Sequence, residues 1–462
     1  MDAVEPVHHP TVAERVERGR AARATVPRSV HAQAELHPVH DPVAILEEQG
    51  KTRVQELLPI RYGRMVASPF AFYRGAAAVM ANELSASSDT GLGAGLVGDA
   101  HLANFGGYAS PERNLVFDIN DFDETGRGPF EWDLKRLAAS VEIAARAIGA
   151  TDAERRSTVL AVARSYREAM RSFAAMGNVD VWYARADVDA IAVALRSSER
   201  RDVQREAERA RTNGTAHDLA ALTHVVDGEI RFVSKPPLVV PVEDLLEGHP
   251  DRVEHLRDIF RSYRRSLAPD RRRLVESFRY AHLARKVVGV GSVGMRTWVL
   301  LLLGRDDTDA LILQIKEAGP SVLEAYTGRT NESNNGQRVV VGQRMAQAAS
   351  DIFLGWTRVQ DEDGAGRDYY VRQLRDWKMS VDVERLRPRG LVTYGGWCAW
   401  SLARAHARSG DRVAISAYLG KGDVFDRAIA DFSAAYADVN ERHHAALRKA
   451  IDEGRVTAVE GV

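Results

Sequence analysis

Asp99 is followed two residues on by His101 and five residues on by Asn104, in the string Val97-Gly-Asp-Ala-His-Leu-Ala-Asn-Phe-Gly106. Just beyond it, Phe117-Asp-Ile-Asn-Asp-Phe-Asp-Glu124 adds Asp118, Asp121 and Asp123. A carboxylate that can take a proton from a hydroxyl, with an amide oxygen and a second carboxylate that can hold a hard cation, suits phosphoryl transfer assisted by Mg²⁺. In that chemistry Asp99 orients or deprotonates an acceptor hydroxyl and Asn104 and Asp121 hold the metal, with Asp118 the weaker candidate ligand. His101 braces the loop rather than carrying protons.

The matching nucleotide half is expected far down the chain. Lys286-Val-Val-Gly-Val-Gly-Ser-Val-Gly294 contains glycines in the pattern G-x-G-x-x-G, at Gly289, Gly291 and Gly294, with Ser292 among them. A dinucleotide fingerprint must open a helix. This one runs into Trp298-Val-Leu-Leu-Leu-Leu303, which is strand-like, so the glycines join two strands and their amides are placed to cover phosphates. Lys316 ends the next apolar run, Ala310-Leu-Ile-Leu-Gln-Ile, where a lysine reaches the α- and β-phosphates of ATP. Glu324, in Pro320-Ser-Val-Leu-Glu-Ala-Tyr, is the acid that could pair with it, since the longer helix from about residue 337 to 350 offers Gln337, Arg338, Gln343 and Arg344 instead. Taken singly, the three aspartates also suit turn capping and the glycines a tight hairpin without a ligand. Their occurrence together with Lys316 favours a site.

The elements that must position these groups follow from periodicity. Leu115, Phe117 and Ile119 alternate as in a strand, which puts Asp121 at its end and Asp118 on its other face. Pro129-Phe-Glu-Trp-Asp-Leu-Lys-Arg-Leu opens a helix to about residue 147, whose Asp133 can bond loop amides. Thr151-Asp-Ala-Glu154 is a capping box for a second helix. Residues 183–275 are charge-dense and mostly helical, broken by a turn at Asp227-Gly228. The basic runs 200–211 and 261–273 suit solvated helix faces better than a partner surface. Leu354-Gly-Trp-Thr-Arg-Val and Asp368-Tyr-Tyr-Val-Arg-Gln-Leu form a hairpin around a loop at 361–367, and the chain from about 391 is helical. Arg61-Tyr-Gly-Arg-Met is expected as a turn, and Arg74 as a packing residue or an anion partner. His406, His443 and His444 lack the company of a metal site.

At 462 residues the chain exceeds one core's usual size, so two lobes are expected. Apolar residues at 45% and charged residues at 27% suit a globular protein. A formal net charge of −1 points to neither nucleic acid nor an anionic membrane as a partner. Cys398 alone excludes an intrachain disulfide and a cysteine metal cluster, and fits a reducing cytoplasm. No apolar run reaches a membrane span, and the start of the chain lacks the apolar core of a secretory signal. Residues 1–40 are expected as a mobile, mildly basic arm.

Gly98-Asp-Ala-His-Leu-Ala-Asn104 and Phe117–Glu124 resemble the catalytic and metal loops of aminoglycoside and choline kinase-type phosphotransferases, in the protein-kinase-like superfamily. The histidine usual before the glycine is Val97 here. From about residue 41 to 450 the chain also resembles the bacterial domain-of-unknown-function 2252 family. Arg61-Tyr-Gly-Arg-Met, Ser68-Pro-Phe-Ala-Phe-Tyr-Arg-Gly-Ala, Gly98–Gly106, Asn120-Asp-Phe-Asp-Glu-Thr and Pro129–Ser140 carry that likeness. The resemblance implies an α+β, two-lobed kinase-like fold with a small antiparallel sheet lobe and a large helical lobe. In kinases the glycine loop and lysine precede the catalytic loop, whereas here they come about 190 residues after Asp99. A circular permutation follows, with the helix around Leu402–His406 standing where chain normally leads into the catalytic loop.

The expected organisation is an arm at 1–40, a catalytic-loop and metal-loop segment at 41–150, and a helical segment at 151–275. A nucleotide lobe at 276–380 and a helical part of the large lobe at 381–462 complete it. The expected activity is ATP- and Mg²⁺-dependent transfer of a phosphoryl group to an unidentified small-molecule or protein hydroxyl. Transfer of AMP by the same fold and a non-catalytic nucleotide-binding scaffold are the alternatives. Oligomeric state has no signature in the sequence.

Overall fold

Apolar runs separated by polar turns build the principal sheet. Six strands lie in the order Gly355–Gln360, Gly366–Gln373, Ala310–Glu317, Thr297–Leu303, Arg279–Lys286, Val239–Pro241, each antiparallel to its neighbours. The computed structural model describes residues 9–34, 39–212, 214–245, 259–287, 289–360, 366–374 and 377–461. It is a mixed α+β structure with small antiparallel sheets. Val288 of the glycine motif and most of the 361–367 loop lie outside the described residues.

Thr297–Leu303 is apolar on both sides because both faces of the sheet are covered. Leu300 and Leu302 pack with Leu313, Ile315 and Val371, while Val299, Leu301 and Leu303 pack with Ile312, Phe232 and Leu374. The turn expected at Asp227-Gly228 joins Thr223–Val226 to Glu229–Phe232, both turn residues having positive φ, 51° and 83°. That is the backbone a two-residue hairpin requires. The principal sheet also takes in Val239–Pro241, upstream of residue 276.

Long helices form the larger core. Phe130–Ala147, Asp152–Ala175, Pro388–Ser409, Arg412–Leu419 and Val424–Asp452 bury their apolar sides together. The second of these starts at the expected capping box, with Glu154 and Thr151 bonding each other's backbone amides. Against this core lies Leu115–Ile119, a strand buried at every position and paired with Phe105–Ala109. Asp118 fixes it there. Arg404, on Pro388–Ser409, donates Nη2 to both Asp118 oxygens at 2.7 and 2.6 Å, and both side chains are buried.

Two local expectations are corrected. Within residues 1–40, Val12–Thr25 is a helix started by a Thr11–Glu14 capping box. It docks because Arg23 and Arg28 bond the carbonyls of Ala417, Tyr418 and Leu419, which end Arg412–Leu419 without helical partners. Its contact face, with Gly19 against the Ala414 carbonyl and Val16 and Ala22 among arginines, carries little hydrophobic signal. Arg61-Tyr-Gly-Arg-Met is not a turn but lies within the helix Leu58–Val66, which Pro59 opens from a favourable first-turn position. No helix among the described residues is long and apolar enough to cross a membrane.

Arg404→Ala leaves the buried Asp118 carboxylate without its cation, a change that costs about 3–5 kcal/mol. The expected result is a lower urea midpoint at unchanged slope, and a midpoint within experimental error of the parent's contradicts the role given to this pair.

Candidate functional site

The Asp99 loop is shaped by backbone contacts that leave little freedom. Gly98 has φ +80° and passes so close to Glu124 that a Cβ would meet its carbonyl oxygen. Asp133, near the start of Phe130–Ala147, accepts from the amides of Val97 at 2.6 Å and Gly98 at 2.9 Å, the loop-bonding role its position suggested. His406 Nε2 lies 3.1 Å from Asp133 Oδ2 and its Nδ1 2.7 Å from the Tyr166 hydroxyl, so this histidine packs the anchor. Tyr394 donates to the carbonyls of Leu102 and Phe105 on the far side. The loop is thereby held from both ends.

Arg136, one helical turn after Asp133, donates Nε and Nη2 to Asp99 Oδ1 at 2.9 and 2.8 Å. Its guanidinium stacks on the Tyr73 ring at 3.8 Å and bonds the Tyr73 carbonyl. Burial raises the Asp99 carboxyl above its ordinary value against the pull of Arg136 and Arg74, which makes it a stronger base than a surface aspartate. His101 is buried, and desolvation with the fields of Arg136 and Arg74 holds it well below the usual histidine range. A neutral imidazole 3.6 Å from Asp99 Oδ2 suits a brace. Asn104 donates Nδ2 to the Asp99 carbonyl at 2.8 Å, which leaves its amide oxygen as the atom available to a cation.

The strand register delivers the opposite wall. Lys316 pairs across the sheet with Tyr370, and Gln314 with Arg372, so these four side chains share one face. Further along that face are Ile312 and Leu374, both in the core. At the other end Lys316 Nζ bonds Asp123 and stands 4.0 Å from Asp121, while the Tyr370 hydroxyl donates to Asp123 Oδ1 at 2.7 Å. Arg372 donates to the Asn120 carbonyl at 3.0 Å and to Gln314. Burial pushes the Asp123 carboxyl up, but Lys316, Tyr370 and Arg372 more than offset it and hold it low. Asp121, raised by burial and by the charge of Asp123, is the more exposed of the two.

The glycine segment does link two strands, Arg279–Lys286 and Thr297–Leu303. Its middle, Val290–Ser292, is a short 3₁₀ turn packed on the helices Leu58–Val66 and Pro69–Gly75. Arg53 bonds the Val293 carbonyl, the Val54 amide bonds that of Gly294, and Ser292 Oγ donates to Asp123 Oδ2 at 3.2 Å. A Cβ on Gly289 would meet nothing within 4 Å. Gly289, Gly291 and Ser292 therefore line the same cavity as Asp99, His101, Asn104, Asp121 and Lys316, a space of about 790 Å³.

Three of the expected site residues stand elsewhere. Asp118 is committed to Arg404 on the far side of its strand and does not line the cavity. Glu324 does not pair with Lys316. It lies 3.6 Å from Arg338 Nε and accepts from the Ser321 amide. Gly294 is packed under Arg53, with φ +87°, and is also absent from the lining. The acid that meets Lys316 is Asp123, and the sequence signal for it was the repeat of Asp121 two residues on. Arg338, on the helix Asn335–Ala346, clamps the acidic loop by bonding the carbonyls of Asp123 and Thr125.

The cavity's donors fit a magnesium nucleotide. Asp121, Asp123 and the Asn104 amide supply hard oxygens, and no cluster of three or more His, Cys, Asp or Glu suited to a metal occurs among the described residues. Mg²⁺ commonly takes one or two protein carboxylates and leaves its other positions to water and phosphate. Lys316 and the open turn at Gly289 suit the phosphates.

Residues 53–450 match the family described as an uncharacterized protein conserved in bacteria, DUF2252. The chain belongs to this family. The matched span contains every cavity residue named above and leaves out the helix Val12–Thr25. No curated protein and no solved structure matches the chain.

In this DUF2252 protein Glu124 also lines the cavity, accepting from the Val322 amide at 2.8 Å. Burial lifts its carboxyl to about 7 from 4.5. The folded protein thus keeps a proton that the unfolded chain releases, so this group's contribution to stability falls as pH rises from 4.5 to about 7. Glu124→Gln keeps the acceptor for Val322 and removes the titration. Between pH 5 and 7.5 the variant's urea midpoint is expected to rise relative to the parent's, because Glu131, raised to about 7, and the buried histidines His31, His101 and His443, held low, act equally in both proteins. A difference that stays constant across this range contradicts the placement of Glu124.

Proposed function

We propose that this DUF2252 protein is an ATP- and Mg²⁺-dependent phosphotransferase with a circularly permuted, protein-kinase-like fold, working in the cytoplasm. The observation that carries the reading is the meeting of Lys316 and the Gly289–Ser292 turn with Asp99, Asn104, Asp121 and Asp123 in one cavity, across about 190 residues of chain. Strand, glycine turn, strand, strand ending in lysine, then a helix and a hairpin is the order of parts in a kinase nucleotide lobe. Residues 276–380 would form that lobe, and 41–150 with 381–462 the large one.

The permutation gains support from where the chain returns. Ser409, at the end of Pro388–Ser409, accepts from the Gly95 amide at 3.0 Å, beside the strand Gly93–Leu96 that leads into Gly98-Asp99. This contact supports reading Pro388–Ser409 as the counterpart of the helix that leads into the catalytic loop.

Bound Mg-ATP supplies the γ-phosphoryl group and neutralises the charge that develops on it. Asp99 orients the acceptor hydroxyl and takes its proton, and Arg136 keeps that carboxylate aimed. Asn104 and Asp121 are the metal-holding groups. Lys316, released in part from Asp123, holds the α- and β-phosphates, and the amides around Gly289 cover them. The departure from a standard kinase is the partner of the lysine: no acid on Asn335–Ala346 reaches it, and Arg338 instead shapes the loop that carries Asp123.

Binding of a non-hydrolysable ATP analogue with Mg²⁺, followed by calorimetry, and ADP release tests these roles. Asp99→Asn is expected to leave analogue affinity within about threefold and to lower ADP release by roughly 10²–10⁴-fold. Asp121→Ala is expected to weaken binding at least tenfold. Binding and turnover unchanged by Asp121→Ala contradict the assignment.

A further inference from the structure

The cavity is more basic than phosphates held by Lys316 require. Nine arginine and lysine side chains and five carboxylates line it among the described residues. The carboxylates are engaged with the protein itself. Asp99 is held by Arg136, Asp123 by Lys316, Glu124 by the Val322 amide and Asp351 by the amides of Phe353 and Gln373, while Asp121 faces Lys316. Several of the arginines are not so matched. Arg61 is 1% exposed, and its Nε and Nη1 have no hydrogen-bond partner. Arg74 Nε is likewise buried and unpaired. Neither of these arginines, nor Arg53, forms an ion pair with a carboxylate among the described residues.

A buried guanidinium without an anion is costly, and protein interiors pair such charges or use them to hold a ligand. The position of the cluster says which ligand. Arg61 and Arg64 are on Leu58–Val66 and Arg74 is on Pro69–Gly75, and all three line the cavity. Tyr73, the residue before Arg74, is bonded through its carbonyl to Arg136, which also grips Asp99, and Arg61 Nη2 donates to the carbonyl of Gly75, the residue after Arg74. Arg74 and Arg61 therefore stand on the Asp99 side of the cavity, and Lys316 beside Asp121 and Asp123 on the other.

We infer that the phosphoryl acceptor is a small hydroxylated anion, whose phosphate or carboxylate is held by Arg74, Arg61 and Arg64 while its hydroxyl faces Asp99. This rests on the phosphotransferase reading and narrows it. Guanidinium forks match both phosphate and carboxylate oxygens in pairs. A positive wall disfavours the amine-bearing acceptors, choline and aminoglycosides, of the enzymes whose loops this chain resembles. Burial pulls the Arg74 guanidinium below its ordinary value against the fields of Asp99 and Glu384, the condition of a cation still short of negative charge.

The test begins by measuring Mg²⁺ and a non-hydrolysable ATP analogue on the full chain alone. Inorganic phosphate, glucose 6-phosphate, gluconate, choline and kanamycin are then titrated in turn onto the saturated protein. Phosphate and at least one of the two hydroxylated anions are expected to bind, the first favouring a phosphate-bearing and the second a carboxylate-bearing acceptor. Arg74→Gln is expected to weaken that binding at least tenfold, with nucleotide affinity changed less than twofold and Arg74→Lys intermediate. Arg64→Gln, at a half-exposed side chain, repeats the comparison if Arg74→Gln unfolds at a markedly lower temperature. Failure of all three anions to bind, preference for choline or kanamycin, or equal loss of nucleotide and anion affinity in Arg74→Gln overturns the inference. Nucleotide binding without anion binding overturns it while the phosphotransferase reading stands; absence of nucleotide binding overturns that reading instead.

Discussion

Lys316 and Asp123 meet at the seam where the sheet faces the helical core, and the arrangement of the cavity depends on that contact. A lysine ending a buried strand brings a charge to a place with little water. Burial disfavours that charge, and the carboxylates of Asp121 and Asp123 more than offset the penalty, so Lys316 is held above its ordinary value. The same contact draws in Tyr370 and Ser292 as further donors to Asp123. Removing either ion would strand the other, so the pair specifies how the acidic loop sits beneath the sheet more than it adds net stability.

The Asp99 side of the cavity is built on a different device, a buried helix that carries charge. In Phe130-Glu-Trp-Asp-Leu-Lys-Arg, four ionisable residues lie within a helix buried nearly all round, and each has its own partner. Glu131 accepts from Thr90, Asp133 from the Val97 and Gly98 amides, Lys135 lies over the Phe432 ring and Arg136 grips Asp99. One element thus sets both the backbone path of the catalytic loop and the aim of its carboxylate. Rigid support of this kind is what keeps a reactive group in place before a ligand arrives.

What was legible in the sequence followed local rules. Alternating residues marked Leu115–Ile119, an apolar run marked Ala310–Glu317, glycines marked the link between two strands, and an Asp-to-Asn interval of five marked the loop. Partners supplied by register were not legible. Tyr370 and Arg372 reach the acidic loop because they lie opposite Lys316 and Gln314, which no local pattern states. Glu324 follows Lys316 by eight residues, but the chain turns after Glu317 and presents it to Arg338. A signal for Arg136 was present and passed over, since charges in the middle of an apolar helix demand buried partners. The cluster of Arg53, Arg61, Arg64 and Arg74 was hidden by treating Arg61–Met65 as a turn. As a helix, it directs Arg61 and Arg64 to the cavity that Arg53, before it, and Arg74, on the next helix, also line.

The most direct test of the central claim is a crystal structure of the full chain with Mg²⁺ and a non-hydrolysable ATP analogue. The account predicts the γ-phosphate directed toward Asp99, the metal on Asp121 and Asn104, and Lys316 on the α- and β-phosphates beneath the Gly289–Ser292 turn. An analogue bound outside this cavity, or bound within it with the α-phosphate toward Asp99, would contradict phosphoryl transfer by these residues.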